Sequence, residues 1–289
     1  MGREGLRPGV LKGTGDAVAE PQVYWVEMWR ELSLRLRQST TGPDPWRERA
    51  SSFDTAVKRH RKEGPDPLVE ALVKKLRGTD TVLDIGAGTG RWAIPLAGVV
   101  ARVTAIDPSS AMLSILDENA AAAGVTNITV VSGNWEDFEV DHHNVVLCSH
   151  AMYSSPDLVG FVRKMERAAR RLCVLVMRVP SHNGIMGELS QRVYGQCHDS
   201  PNFVIAYNIL LGMGIYPNVL MENQVRLWID DTLEGALARA KRHLRLEESR
   251  NHDHTIREML RQSLTPAEGR WVWPDGMRSA MVWWSPTKA

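Results

Sequence analysis

The middle of the chain alternates between short apolar runs and longer segments in which apolar residues recur every three or four positions. Short apolar runs bounded by glycine or polar residues are typical of strands buried on both faces, and the longer repeats are typical of amphipathic helices. Regular alternation of the two predicts an α/β fold with a doubly wound, mostly parallel sheet. The predicted strands lie at 82–85, 102–107, 128–131, 145–149 and 173–177.

Three helices are predicted ahead of the first strand. In the first, at about residues 21–38, Trp25 and Trp29 begin an apolar stripe with three- and four-residue steps. The second is expected from Trp46 to about residue 62 and the third at 68–76, because segments rich in proline and glycine separate the three.

Past residue 178 the strict alternation ends, which indicates a region added to the edge of the core. Ser200 is a good N-cap residue, and Pro201 after it suits the first turn of a helix, so this pair predicts the start of a helix. In order, the pattern predicts a polar mixed segment at 179–202, a helix at 202–211, a strand at 217–229, a charged helical pair at about 233–264 and a last β element at 270–285.

The amino-acid composition limits the kinds of molecule that the protein is expected to bind. The 289 residues include 35 basic and 34 acidic side chains, so the net charge of +1 argues against strong attraction to nucleic acid or to an anionic membrane. No apolar run approaches the ~18 residues of a membrane span, and the first residues lack the apolar core of a signal peptide. Cys148, Cys173 and Cys197 show no C-x-x-C spacing. We therefore expect a soluble, cytoplasmic protein with core thiols and a small or neutral substrate.

Three glycines follow the first predicted strand, at Gly86, Gly88 and Gly90. Glycine lacks Cβ, so the backbone can turn sharply and lie against a ligand, while free N–H groups of the next helix point at that ligand. Such a turn predicts a nucleotide-like cofactor. The dinucleotide fingerprint G-x-G-x-x-G requires glycine at position 91, where this chain has Arg91, and the spacing therefore disfavours a pyrophosphate.

The glycines and the acidic residue two positions before them, Asp84, resemble motif I of the class I S-adenosylmethionine (SAM) dependent methyltransferases. Asp107 ends the second strand, 17 residues after Gly90, where a carboxylate can accept both ribose hydroxyls. NAD enzymes share this second feature. The resemblance covers about residues 68–177 and implies SAM as cofactor and S-adenosylhomocysteine (SAH) as product.

The resemblance also implies a fold, and the resemblance and the sequence pattern together predict a division of the chain. The fold is a seven-stranded sheet whose last two strands form an antiparallel hairpin, placed here at 219–229 and 277–285. The division comprises a disordered tail (1–19), an N-terminal helical lid (20–66), a SAM-binding core (67–180) and a substrate or cap region (181–289) with a helical insertion at about 231–264.

Cofactor contacts implied by the family come from the ends of the first four strands. The turn after the third strand places Asn134 and Trp135 beside adenine, although a core aromatic is an equal alternative for Trp135. The implied cofactor residues are Asp84, Gly86, Ala87, Gly88, Thr89, Gly90, Asp107, Pro108, Met112, Asn134, Trp135 and Ser149.

His150 stands where the fourth strand ends, facing the reactive methyl in this fold. Its ordinary pKa near 6.5 suits a general base, but a histidine that only orients the substrate is an open alternative. Tyr153 is a weaker catalytic candidate. Candidate substrate residues, chosen by regional placement, are Tyr24, Trp25, Trp46, Tyr194 and His198, with His182 beside them.

Histidine pairs occur at 142–143 and 252–254 without a zinc-binding motif, so we expect solvated surface and no metal site. The predicted function is methyl transfer from SAM to a small-molecule acceptor by a monomer or homodimer. The alternatives are a SAM or SAH binding protein without methyl transfer and, disfavoured by Arg91, an NAD-dependent dehydrogenase.

Overall fold

The computed structural model describes residues 23–38, 44, 46–139, 141–181, 184–196, 198–223, 228–274 and 278–287. The predicted tail at 1–19, together with His182 and Cys197, lies outside the described residues.

Within these ranges the chain forms ten α-helices and ten strands. The helices are α1 (Val23–Gln38), α2 (Ala50–Glu63), α3 (Pro67–Val73), α4 (Ala93–Ala97), α5 (Ser110–Ala122), α6 (Leu158–Ala168), α7 (Ile185–Tyr194), α8 (Phe203–Gly212), α9 (Leu233–Leu244) and α10 (Asp253–Ser263). The strands are β1 (Thr81–Ile85), β2 (Arg102–Asp107), β3 (Ile128–Ser132), β4 (His143–Ser149), β5 (Ala169–Val179), β6 (Asn218–Met221), β7 (Ile229–Asp230), β8 (Thr265–Ala267), β9 (Arg270–Val272) and β10 (Arg278–Trp284).

Seven strands form the main sheet in the order β3-β2-β1-β4-β5-β10-β6. The strands β1 to β5 are parallel, and β10 runs antiparallel between β5 and β6. The strand order reverses between β1 and β4, so a crevice for a ligand opens at the carboxyl ends of these two strands. This topology confirms the predicted doubly wound, mostly parallel seven-stranded sheet.

Apolar side chains on both faces of the central strands make the core. One face packs against α1, α6 and α8, and the other packs against α3, α4 and α5. Cys148 and Cys173 are fully buried free thiols, and burial raises the pKa of both. Their place in the core confirms the prediction for these two cysteines.

A separate apolar cluster forms what we call the cap, which comprises α7 and residues 228–273. The cap contains the predicted helical pair as α9 and α10, and it also contains a small sheet in the order β7-β9-β8. The insertion is therefore longer than the predicted 231–264. The prediction of a polar segment at 179–202 is wrong in part, because Ile185 and Leu189 of α7 are buried against α9 and α10.

Several predicted boundaries differ from the structure. The second helix begins at Ala50, because residues 46–49 form a turn. The predicted strand at 219–229 is wrong as one element: β6 ends at Met221 in the main sheet, whereas β7 pairs with β9 in the cap. Residues 224–227 of that prediction lie outside the described residues.

His143 is buried at the start of β4, so the expected solvated surface is wrong for this residue. Its Nδ1 lies 2.7 Å from the Asp141 carbonyl oxygen and its Nε2 lies 2.9 Å from Thr104 Oγ1. Burial lowers its pKa. Among the described residues no helix is long and apolar enough to cross a membrane, and no group of three or more metal-ligating side chains is present.

Candidate functional site

The glycine turn after β1 has left-handed backbone at each of its three glycines. Gly86, Gly88 and Gly90 have φ angles of 70°, 55° and 89°. A Cβ atom on Gly86 would lie 2.1 Å from Cβ of Ala151, a distance that real Cβ atoms do not show. Glycine at 86 therefore lets the turn after β1 touch the turn after β4, which carries His150.

Asp107 ties the end of β2 to this glycine turn. Its Oδ2 accepts the N–H of Gly88 at 2.9 Å and its Oδ1 accepts the N–H of Ser109 at 2.9 Å. Burial raises the pKa of the carboxyl group. Each carboxylate oxygen keeps one lone pair beyond these bonds, so Asp107 can hold the backbone and still accept a donor from a ligand.

Asp84 is a buried carboxyl group near the end of β1, two residues before the first glycine of the turn. It is 1% exposed, and its Oδ2 has no hydrogen-bond partner among the described residues. Burial, and then the neighbouring charge of Asp107, raise its pKa to about 7. Buried acceptors in folded proteins are normally paired, so an unpaired carboxylate oxygen beside a glycine turn indicates a place for a donor or a cation.

Helix α2 lies across the glycine turn. A ring carbon of Phe53 is 3.6 Å from the position of a Cβ on Gly88. Asn119 Nδ2 donates to Asp54 Oδ1 at 2.8 Å and to the Thr89 carbonyl oxygen at 3.1 Å. Through these contacts α2, which is not part of the sheet, packs over the glycine turn and covers one side of the site.

His150 occupies the turn that follows β4. It has a φ of 56°, a left-handed conformation that residues other than glycine adopt rarely and often at functional sites. Its Nδ1 lies 2.9 Å from the Tyr153 hydroxyl oxygen, and its Nε2 lies 3.3 Å from Ser279 Oγ. Burial raises the pKa of Tyr153, so the phenol stays protonated.

Comparison with known proteins shows which protein family the core of the chain resembles. Residues 82–171 match the family model described as "Methyltransferase domain". This segment contains the glycine turn, Asp84, Asp107 and His150. The core of the chain is therefore similar to a methyltransferase domain.

Relatives that match more of the chain than this domain are distant in sequence. An uncharacterized protein from Haemophilus influenzae is 23% identical over 222 residues, covering 75% of this chain and 80% of its own length. An uncharacterized methyltransferase, YcgJ of Bacillus subtilis, is 27% identical over 111 residues, which is 38% of this chain and 44% of YcgJ. The crystal structure of YcgJ shares the fold with a TM-score of 0.52 at 16% identity, covering 76% of this chain and 98% of YcgJ.

Other predicted cofactor residues of the methyltransferase domain lie near the same strand ends. Ser149 Oγ accepts the indole N–H of Trp92 at 2.8 Å. Trp135 is 4% exposed and packs in the core beside Phe161. This position agrees with the alternative that Trp135 is a core aromatic residue without a role in binding the cofactor. Asn134 is exposed on the turn after β3, Met112 is buried in the first turn of α5, and Pro108 is exposed before it. Their cofactor roles stay predictions.

The predicted substrate residues fall into two groups. Tyr24 and Trp25 of α1 stack edge to face, and Trp46 packs edge to face on Phe53 above the glycine turn. By contrast, the Tyr194 hydroxyl donates to the Leu244 carbonyl oxygen within the cap.

His198 also makes its described contacts away from the glycine turn. Its Nδ1 lies 3.4 Å from Asn202 Nδ2, and its carbonyl oxygen accepts the Ser190 hydroxyl. Burial lowers the pKa of His198. Within the described part of the chain, Tyr194 and His198 therefore make no hydrogen bond to the other candidate residues.

Two residues beside His150 were missed from the sequence. Ser279 of β10 contacts the imidazole, and Glu222 is 2% exposed and accepts the N–H of Ser279. Ser279 belongs to β10, and Glu222 directly follows β6. No local motif marks them, because only the pairing of β10 with β5 and β6 brings them to the end of β4.

Proposed function

We propose that the whole protein binds SAM at the crevice between β1 and β4 and transfers its methyl group to a small-molecule acceptor. The observation that supports this most directly is the buried Asp84 oxygen without a hydrogen-bond partner among the described residues, set beside a glycine turn that Asp107 holds in place. SAM carries an ammonium group and two ribose hydroxyls, which are donors suited to these two carboxylates.

Each part of the site has a role in the proposal. Asp107 would accept the ribose hydroxyls with the lone pairs that the backbone bonds leave, and Asp84 would accept a donor from the amino acid end of the cofactor. The missing Cβ atoms at Gly86 and Gly88 permit close approach. Asn134 and Trp135 lie toward the adenine.

The chemistry is an in-line displacement at a methyl group that the sulfonium centre of bound SAM activates. Positioning and water exclusion are the main tasks of the protein in such a reaction. Helix α2 covers the glycine turn, and we propose that it acts as a lid. His150 lies on the acceptor side as a base or an orienting donor.

A small acceptor is supported by the near-neutral charge and by aromatic residues of α1, of the turn before α2 and of α2 itself, namely Trp25, Trp46 and Phe53. Aromatic side chains suit an enclosed, partly apolar pocket. The proposal extends to a reducing, cytoplasmic compartment, supported by the free thiols of Cys148 and Cys173. A monomeric or homodimeric state stays a prediction.

The alternative of a dehydrogenase is disfavoured further by the surroundings of Arg91. Its guanidinium donates to Asp66 Oδ2 at 2.6 Å and forms an ion pair there. Arg91 is thereby built into the contact between α3 and the glycine turn, at the position where a dinucleotide fingerprint needs glycine.

The test uses SAM with an isotopically labelled methyl group. The protein is incubated with a cell extract separated into small-molecule, RNA and protein fractions, and the label is followed into each fraction. We expect label in the small-molecule fraction only, and its loss in Asp107→Ala. Label in RNA or protein would refute the small acceptor, and SAM binding with no transfer to any fraction would favour the binding-protein alternative.

A further inference from the structure

We infer that Tyr153 fixes His150 as the tautomer protonated on Nε2, and that this histidine donates to Ser279 and does not act as a base. Tyr153 and Ser279 are then positioning residues of the transfer site. This inference rests on the proposed function for its role, but the hydrogen-bond directions follow from the described contacts alone.

The direction of the first hydrogen bond is set by the backbone. The N–H of Arg178 lies 2.6 Å from the Tyr153 hydroxyl oxygen, and an amide N–H can only donate. The phenol oxygen therefore accepts from Arg178. Its own proton has one acceptor among the described residues, Nδ1 of His150 at 2.9 Å.

The state of the imidazole follows from this bond. Because Nδ1 accepts a proton from Tyr153, a neutral imidazole carries its hydrogen on Nε2. Nε2 lies 3.3 Å from Ser279 Oγ, so it donates to that hydroxyl. The opposite direction would leave the buried phenol proton of Tyr153 without an acceptor in the described part of the chain, which is unfavourable.

Ser279 is itself held on both sides. Its N–H donates to Glu222 Oε2 at 3.1 Å, and its carbonyl oxygen accepts the N–H of Glu222 at 2.8 Å. Across the other edge of β10, Ser279 is the register partner of Arg178 in β5. The hydrogen-bond chain therefore starts and ends on two paired residues of the sheet, which makes it a rigid unit.

The backbone of the turn gives independent support. His150 keeps a left-handed φ, and its N–H donates to the Val176 carbonyl oxygen at 2.9 Å. The next residue, Ala151, is packed against Gly86. The imidazole is thus oriented at both its backbone and its ring, which fits a group that must present one defined atom.

A consequence concerns the class of acceptor. With the Nδ1 lone pair directed at Tyr153 and the Nε2 hydrogen directed at Ser279, His150 offers the methyl acceptor no atom that can take up a proton. The acceptor that fits has an attacking atom with a free lone pair or a negative charge at neutral pH, because such a nucleophile needs no base.

Nitrogen-15 spectroscopy of protein with labelled histidine tests the inference without an acceptor. Long-range proton–nitrogen spectra distinguish a protonated ring nitrogen from one that only accepts, and His150→Asn identifies the His150 signals. For the full chain at neutral pH we expect Nε2 protonated and Nδ1 not. Protonation on Nδ1 would overturn the inference whatever the variants show.

Variants then separate the two positioning residues. Tyr153→Phe should shift His150 toward a mixture of tautomers, and Ser279→Ala should leave the Nε2–H tautomer in place but alter the Nε2 signal. Tyr207→Phe, a matched loss of a phenol hydroxyl from α8, should change neither. An unchanged His150 spectrum in Tyr153→Phe would refute the role of Tyr153. The affinity for SAH, measured on the same samples, reports separately on the proposed function.

Discussion

Replacement of Asp107 by alanine removes a side chain with two tasks. In the structure its carboxylate accepts the N–H groups of Gly88 and Ser109, each at 2.9 Å. In the proposed complex its remaining lone pairs accept the ribose hydroxyls. Asp107→Ala therefore weakens cofactor binding directly, and it also leaves the glycine turn without its anchor.

The magnitude follows from these contacts. A hydrogen bond to a charged group contributes about 1.5–3 kcal/mol, and about 1.4 kcal/mol is a factor of ten in affinity. Loss of one ribose bond is thus worth at least about tenfold and loss of both about a hundredfold. Asp107→Asn keeps one oxygen and the shape of the side chain, so we expect an intermediate loss.

Calorimetric titration with SAH measures the effect, and thermal unfolding shows whether the variants remain folded. Asp117→Asn is the matched control, since Asp117 is exposed on α5. It should bind SAH as the unmodified protein does. A folded Asp107→Ala variant with unchanged SAH affinity would refute the assignment of β2 to the ribose.

Three further predictions concern charge and packing. Burial raises the pKa of Asp84 from its ordinary 3.8 to about 7, so between these two pH values the free protein keeps a proton on this carboxyl group. Binding of SAH favours the carboxylate form, so the affinity for SAH should rise with pH up to about 7 and then level off. Gly86→Ala should lower the free energy of unfolding by about 1–3 kcal/mol through overpacking and strain, whereas Gly78→Ala, with nothing within 4 Å of its Cβ, should not. Burial acts to raise the pKa of Asp199, but Arg178 and the hydrogen-bonded His243 together outweigh it and lower the pKa. Asp199→Asn should therefore destabilise the fold by about 3 kcal/mol at neutral pH, and by less in acid, where the carboxylate is protonated in the unmodified protein as well.

Each of these has a measurement that can contradict it. Titrations across the pH range, repeated with Asp84→Asn, should show the pH dependence lost in the variant, and equal slopes would exclude Asp84 as its source. Denaturant unfolding compares the two glycine variants, and equal losses would refute the contact with the turn after β4. For Asp199→Asn, a loss that does not shrink on acidification would show that its ion pairing is not the cause.

Much of the core could be predicted from the sequence because its strands are buried on both faces. Continuous apolar runs such as 145–148 and 173–177 are typical of strands inside a parallel sheet, and the glycines after β1 need no tertiary information to be recognised. Asp84 was predicted from its place two residues before the glycines, and Asp107 and His150 from their positions at strand ends, which parallel topology brings to one edge. Their cofactor and catalytic roles stay predictions.

The rest depended on contacts between distant segments. Helix α7 carries an apolar face that is buried only because α9 and α10 pack on it. Ser279 and Glu222 are 57 residues apart and meet through strand pairing. His150 could be placed at the end of β4, but its tautomer could not be predicted, because that depends on a phenol oriented by the backbone of Arg178.

The central claim is that the crevice between β1 and β4 binds SAM. Calorimetric titration of the purified protein with SAM, SAH and NAD tests it most directly. We predict one site that binds SAM and SAH competitively and shows no heat of binding with NAD. Tight binding of NAD with no response to SAM or SAH would contradict the account.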